Sequence, residues 1–317
     1  MCANHAQLIK KSRHRFERPL FALATILTIG IWLIVIALSF AKEETAAIIR
    51  QDIVSEYRAS HPEDTALDDA AVLKKIPAED RELLDTIEGL NPLLILLAPL
   101  GFVLFLIYAI GKMYGQARAD GIRITPEQFG EVHAEWVSMA EKLGLQTVPK
   151  LHLQNGNGKL NAFATCIPGY RAFGVIYSDI LERALANDDR DALRFILGHI
   201  RLKHVMWWYN LLTFVGNLPG LNYLIGQPLS RAREYGCDKI GYALTEDRAC
   251  KGLLMLAAGK HLYRQVDIDA YEKDQIAGGQ KWAAVHNFFI DHPVISWRIA
   301  AIRQNRHGDL FIAKKSR

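Results

Sequence analysis

Three long apolar runs divide the chain. The first, Pro19–Ala41, reads PLFALATILTIGIWLIVIALSFA without a charge. It exceeds the roughly 20 residues a helix needs to cross a bilayer. It is longer than a signal-peptide core, and no small-residue cleavage site with a mature start follows it. It therefore predicts a transmembrane helix over 19–41. The second run, Pro92–Gly111, predicts a return crossing over 91–111. The third, Val205–Leu229, is broken by Gly216, Pro219 and Gly220, and its Asn217-Leu218-Pro219-Gly220 turn predicts an apolar hairpin over 205–229. Trp207, Trp208, Tyr209 and Tyr223 suit a membrane interface, so the hairpin either dips into the membrane or lies on its face. A buried helical hairpin of the soluble part is the alternative.

Between and beyond these runs the pattern is that of a folded polar chain. Residues 42–90 are mildly amphipathic, with Ile48, Ile49, Ile53, Val54, Tyr57, Val72, Ile76, Leu83, Leu84 and Ile87 as the apolar positions. They predict short helices outside the membrane. After residue 112, Thr125 is a plausible N-cap with Pro126 at the first helical position. Phe129, Val132, Trp136, Val137 and Leu143 continue a helical stripe to Gly144. The period then shortens to two: Leu151 and Leu153, the turn Asn155–Gly158, Asn161–Thr165, and Phe173–Ser178 predict strands. From Asp188 to His204 the helical period returns, with Leu193, Ile196, Leu197 and Ile200 on one face. Residues 251–265 predict another helix, with Leu253, Leu254, Leu256, Ala257 and Leu262 on its apolar side. Gln275–Gln280 is glycine-rich and predicts a mobile link.

Charge orients these pieces. Lys10, Lys11, Arg13, Arg15 and Arg18 precede the first run, and Lys112, Arg118 and Arg123 follow the second. Residues 42–90 carry six Lys or Arg against thirteen Asp or Glu. Positive charge marks the cytoplasmic side. The expected order is a basic cytoplasmic N-terminus (1–18), an acidic extracytoplasmic loop (42–90) and a cytosolic domain (112–317) of an integral membrane protein, with a bacterial-type inner membrane as the expected location. The net charge of +4 is too weak, and too free of basic–aromatic interleaving, for nucleic acid. Cys2, Cys166, Cys237 and Cys250 show no CxxC pair and read as free thiols in a reducing compartment.

The chemistry gathers in two stretches. One is Leu197-Gly198-His199-Ile200-Arg201-Leu202-Lys203-His204; the other is Ser230-Arg231-Ala232-Arg233-Glu234-Tyr235-Gly236-Cys237-Asp238. Zinc peptidases of the zincin type place two His at i and i+4 on one helix with a Glu between them, and a third ligand comes from a later helix. SRxxExxxD, the strand Asn161-Ala162-Phe163-Ala164 and His292-Pro293…Arg298-Ile299 together resemble the HtpX-like branch of the membrane zinc endopeptidases, related to the CAAX prenyl endopeptidase. The resemblance runs over most of residues 90–305. It implies a mostly α membrane protein: two N-terminal transmembrane helices and a zincin-like α+β domain. It also implies zinc on His199 and Glu234, Asp238 behind them, and His292 and Arg298 as oxyanion donors. Asn161, Ala162, Phe163 and Ala164 become the sheet edge that holds polypeptide substrates. A plainer reading of His292-Pro293…Arg298 is a helix start at Pro293 with Arg298 in a surface salt bridge.

At one motif the chain departs from that family. Where relatives read LGHELGHIKLGH, this chain reads LGHIRLKH, so one Gly-His unit with Glu-Leu is missing. His199 aligns with either metal-binding His; under the second placement Phe195 and Ile196 stand where the other His and the Glu belong. One ligand and the general base are absent on either alignment. On a continuous helix His199 and His204 lie about 140° apart, so His204 is expected to face solvent and zinc to bind weakly or not at all. The hairpin at 205–229 keeps Glu234 on the same side as His199, which a single crossing would not. Three readings remain open: a peptidase with substitute residues, an inactive homologue that holds membrane or unfolded protein partners, and an accidental short deletion from a working peptidase.

Overall fold

The computed structural model describes residue 7 and residues 10–89, 91–167, 171–187, 191–245, 248–277 and 280–312. In chain order the helices and strands are α1 (Glu17–Phe40), α2 (Lys42–Ser60), α3 (Asp69–Lys75), α4 (Ala78–Gly89), α5 (Pro92–Ala119), β1 (Ile122–Arg123) and α6 (Gly130–Lys142). Then come β2 (Lys150–Gln154), β3 (Ala162–Thr165), β4 (Phe173–Tyr177), α7 (Ser178–Asn187), α8 (Asp191–Arg201) and α9 (Trp207–Leu212). The chain closes with α10 (Gln227–Thr245), α11 (Lys251–Leu262), α12 (Ile268–Ala277), α13 (Gln280–Phe289) and α14 (Ile295–Arg303). Mostly helical with one small sheet, this is the class the pattern predicts. Two helical stretches, Glu17–Ala37 and Leu100–Ala119, are long and apolar enough to cross a membrane. The second helix runs well past Gly111, so Lys112 and Arg118 belong to it.

The chain divides into two compact units, Ile29–Leu104 and the remainder. In the first, the acidic stretch is helical as its pattern predicts, but α2 is a long helix of 19 residues and only α3 and α4 are short. Asp68 caps α3 by accepting from the Ala71 N–H at 2.7 Å, a bond that satisfies an orphan helix donor. Val54, Val72 and Ile76 form a small buried core. Asp64 joins the helices by accepting from Tyr57 (2.9 Å) and Lys75 (2.6 Å).

The second unit comprises residues 1–28 and 105–317. Its sheet has the order β1-β2-β4-β3, with β2 and β4 parallel and the outer pairs antiparallel. Helix α8 packs across β3 and β4. Leu193, Ile196 and Leu197 are fully buried there with Trp136, Leu151, Ile176 and Ile240. The period-3.6 face read from the sequence is the face that buries.

Several boundaries differ from expectation. Helix α6 starts at Gly130, because Thr125 and Gln128 close a turn by mutual backbone bonds of 3.0 and 3.3 Å and Phe129 is left-handed (φ 61°). Thr125 is thus a turn residue and not an N-cap. Leu256, Ala257 and Leu262 are exposed, so Leu253 and Leu254 are the buried part of the expected stripe; α11 also kinks at Gly259 (φ 78°), ahead of Leu262. Helix α14 starts at Ile295, so Pro293 lies in the preceding turn. The link at Gln275–Gln280 is crossed by the ends of α12 and α13; Gly278 and Gly279 lie outside the described residues, as do Asp188, Asp189, Arg190 and Cys2.

The third apolar run doubles back. After α9 come a 3-10 turn at Phe214–Asn217, left-handed Gly220, and a π turn at Asn222–Gly226 that leads into α10. Its inner side packs on the first turns of α1. Phe21 lies against Tyr209 (ring centroids 4.6 Å), and the Thr28 hydroxyl accepts from the Val215 N–H at 3.3 Å. The hairpin therefore leaves His199 and Glu234 in one site.

Candidate functional site

Helices α8 and α10 meet at Gly198. A Cβ added there would lie 3.1 Å from the Cys237 Cα and 3.2 Å from its Cβ, so only glycine lets the backbones approach this closely without displacement. That approach presents His199 to Glu234, Cys237 and Asp238, which share a face of α10 at i, i+3 and i+4. Arg231, fully buried on the same helix, donates to the backbone carbonyls of Asn287 and Ile290. It thereby ties α10 to the segment that carries His292.

Five of the residues singled out in the sequence converge. His199 Nε2 stands 3.4 Å from Glu234 Oε1, and His292 Nε2 stands 3.8 Å from the same oxygen. Arg298 is buried. Its Nε and Nη2 donate to the two Asp238 oxygens at 2.8 and 2.7 Å, and its Nη1 lies 3.2 Å from Glu234 Oε2. The expected surface salt bridge is thus a buried bidentate pair. Burial works against ionising Glu234, yet His199, Arg298 and His292 hold its pKa down to about 2. Burial likewise opposes the charge on Arg298, and Asp238 and Glu234 outweigh it, raising its pKa. An oxyanion donor must aim its N–H at developing charge on a substrate. Arg298 aims its bonded N–H groups at carboxylates. His292, by contrast, is exposed, and its Nδ1 bonds Asp291 at 2.8 Å.

With His199 aligned as the second metal-binding His, apolar groups stand in the places of the missing residues. Phe195 meets His199 edge to face (centroids 4.7 Å, 79°) and lies under the Arg298 guanidinium at 5.0 Å. Ile196 is fully buried in the main core. Neither can take a proton.

His204 overturns its expectation. It is 4% exposed, not solvent-facing. Helix α8 stops at Arg201, because Lys203 turns left-handed (φ 65°) and the chain closes a two-bond C-cap: Lys203 N–H to Ile200 O at 3.1 Å and His204 N–H to His199 O at 3.0 Å. This is the helix-ending motif usually built on glycine. The 100° per residue assumed for a continuous helix therefore fails after Arg201. The turn folds His204 back onto His199, with their Nδ1 atoms 3.4 Å apart. Cys237 Sγ lies 3.7 Å from His204 Nδ1. His199, His204 and Cys237 offer three donor atoms all within 4.8 Å of one another, a group that could hold a metal ion. Burial lowers the His204 pKa and raises that of the Cys237 thiol.

Two residues from the start of the chain complete the cluster. Glu17 Oε1 lies 3.1 Å from His204 Nε2 and also accepts from Arg13. Arg13 in turn donates to the Leu202 carbonyl at 2.6 Å, next to the C-cap. Sequence reasoning missed Glu17, which is 187 positions from its partner. It also read Cys237 as an uninvolved thiol, although the spacing Glu234-x-x-Cys237 places both on one helical face. Beside the cluster, Ala162, Phe163 and Ala164 lie in β3, at the edge of the sheet and against α8, with Asn161 just before it.

Residues 201–306 match the model of peptidase family M48. That match takes in Glu234, Asp238, His292 and Arg298 and begins just after His199. Residues 201–306 are thus similar to an M48 metallopeptidase domain, in keeping with the order of the motifs. A relative is the plastoglobule-localized metallopeptidase 48 of Arabidopsis thaliana, a chloroplast protein, 25% identical over 163 residues. The alignment spans 47% of this chain and 47% of that protein, so this chain covers about half the length of the curated relative it matches. No solved structure matches.

Proposed function

We propose that this chain is a membrane-anchored, M48-type protein of the HtpX-like branch that holds polypeptides without hydrolysing them. The observation that carries this reading is the pairing at His199. Its carboxylate neighbour, Glu234, pairs with Arg298, and on either alignment of His199 no Glu stands beside a metal-binding His. Peptide hydrolysis on this scaffold needs a carboxylate free to take a proton from water. A two-His, one-Glu zinc site does not fit these residues, because the second His is missing at i+4 and Glu234 is shared with Arg298.

The groove that remains is the β3 edge. The Tyr177 N–H donates to the Asn161 carbonyl at 3.0 Å, and polar groups alternate along a strand. Ala162 and Ala164 therefore point their N–H and C=O groups away from β4, on a side where no strand pairs among the described residues and a strand could add. Clients would be unfolded or membrane polypeptides at the cytoplasmic face, reached from a chain anchored by α1 and α5. Nucleic acid is not a partner in this reading.

The test uses the full chain in detergent with reduced, labelled casein. Casein should be retained intact, and Ala164→Pro, which removes an outward N–H without breaking the inner ladder, should weaken retention. Cleavage above background, or retention indifferent to the proline, contradicts the reading.

A further inference from the structure

We propose that His199 Nδ1, His204 Nδ1 and Cys237 Sγ bind one thiophilic divalent cation of the zinc type, at a site whose ligand set differs from two His and a Glu. The first support is distance. Zinc bonds of about 2.0–2.1 Å to nitrogen and 2.3 Å to sulfur, arranged tetrahedrally, require ligand edges of about 3.3 Å for N···N and 3.5 Å for N···S. Two observed edges are 3.4 Å between the two Nδ1 atoms and 3.7 Å from His204 Nδ1 to Cys237 Sγ, and all three donors lie within 4.8 Å of one another.

The second support is how each imidazole is held. Metal-binding histidines present one nitrogen to the ion and give the other N–H to a carboxylate, which fixes the tautomer. His204 Nε2 faces Glu17 and His199 Nε2 faces Glu234. With both Nε2 atoms as donors, both Nδ1 lone pairs point at each other. Two facing lone pairs at this distance repel, and a cation between them relieves the repulsion, as a proton on either Nδ1 would. Arg13 keeps Glu17 in place, and the Lys203 turn keeps His204 in place, so the site is built by three separate parts of the sequence. A ligand set of two imidazoles and one thiolate selects a borderline-soft ion and rejects magnesium or calcium, which take oxygen. The inference does not depend on whether the protein cuts peptides.

Cobalt(II) is the probe, added to the reduced full chain in detergent. One equivalent should bind and give a near-ultraviolet thiolate-to-cobalt charge-transfer band. Cys237→Ser should remove the band, while the Cys166→Ser, Cys250→Ser double variant should keep it. Glu17→Gln should keep the band but weaken binding about 10- to 100-fold. X-ray absorption on the zinc-loaded unmodified chain supplies a reading that needs no variant: one sulfur at about 2.3 Å beside nitrogens at about 2.0 Å. No bound metal, a band that survives Cys237→Ser, or a shell without sulfur overturns the proposal. The first of these results would leave a shared proton between the two Nδ1 atoms.

Discussion

His204 donates its backbone N–H to the carbonyl of His199 at 3.0 Å, and the same turn brings their ring nitrogens to 3.4 Å. The relationship depends on Lys203 standing at φ 65°, where an L side chain costs about 1–2 kcal/mol. Lys203→Gly should therefore raise unfolding stability by about 1 kcal/mol, less the entropy glycine adds to the unfolded chain. Lys203→Val should lower it by more than that. Thermal or denaturant melts of both variants check the pair; a neutral valine would mean that the turn is not left-handed.

Arg298 lies between two buried carboxylates. Removing it as Arg298→Met leaves Asp238 and Glu234 charged and uncompensated, a change worth about 3–5 kcal/mol of stability. Lysine keeps the charge but cannot fork to both Asp238 oxygens, so Arg298→Lys should fall between the two. If methionine melts like the parent chain, the ion pair is not the element that holds α14 to α10.

Much of the fold was legible because it obeys periodicity. Leu193, Ile196, Leu197 and Ile200 recur at helical spacing, and they are the buried face of α8. The strands at 150–154, 162–165 and 173–177 arise from a period of two and turn residues. The order of SRxxExxxD and His292…Arg298 pointed to membrane zinc endopeptidases, and residues 201–306 match the model of peptidase family M48. His204 was not legible. Its position is set by a left-handed residue, and lysine gives no signal of one. Glu17 was not legible either, because its acid lies at the edge of an apolar run and its role arises only when α1 packs beside Leu202 and Gly236. Helix starts were misjudged where a turn competes for the cap, as at Thr125.

His14 predicts an acid-sensitive contact between the chain's two ends. It is buried; its Nε2–H donates to the Gly308 carbonyl at 2.8 Å, and its Nδ1 accepts from the Phe16 N–H at 3.2 Å. Both bonds suit the neutral ring. Burial, helped by His307 and Arg15, lowers its pKa to about 4. Between pH 6.5 and 4 the unfolded chain takes up a proton here that the folded chain refuses, so stability falls as pH falls through that window. The loss is on the order of 3 kcal/mol by about pH 4. Unfolding measured from about pH 7 to about pH 4 should show this slope, and His14→Gln, which cannot titrate, should flatten it. An unchanged slope in the variant would assign the acid sensitivity elsewhere.

The most direct measurement compares the chain with a version carrying Glu-Leu-Gly-His between His199 and Ile200. The insertion adds about 1.1 helical turns and rotates the downstream residues by about 40°. It restores an i, i+4 His pair with a Glu beside the first ligand, facing Glu234. General-base assistance is typically worth about 10² to 10⁴ in rate. The inserted chain should cleave casein, with activity abolished by chelator and by Glu234→Gln, and the chain as it stands should show none above background. Equal cleavage by both would contradict the account.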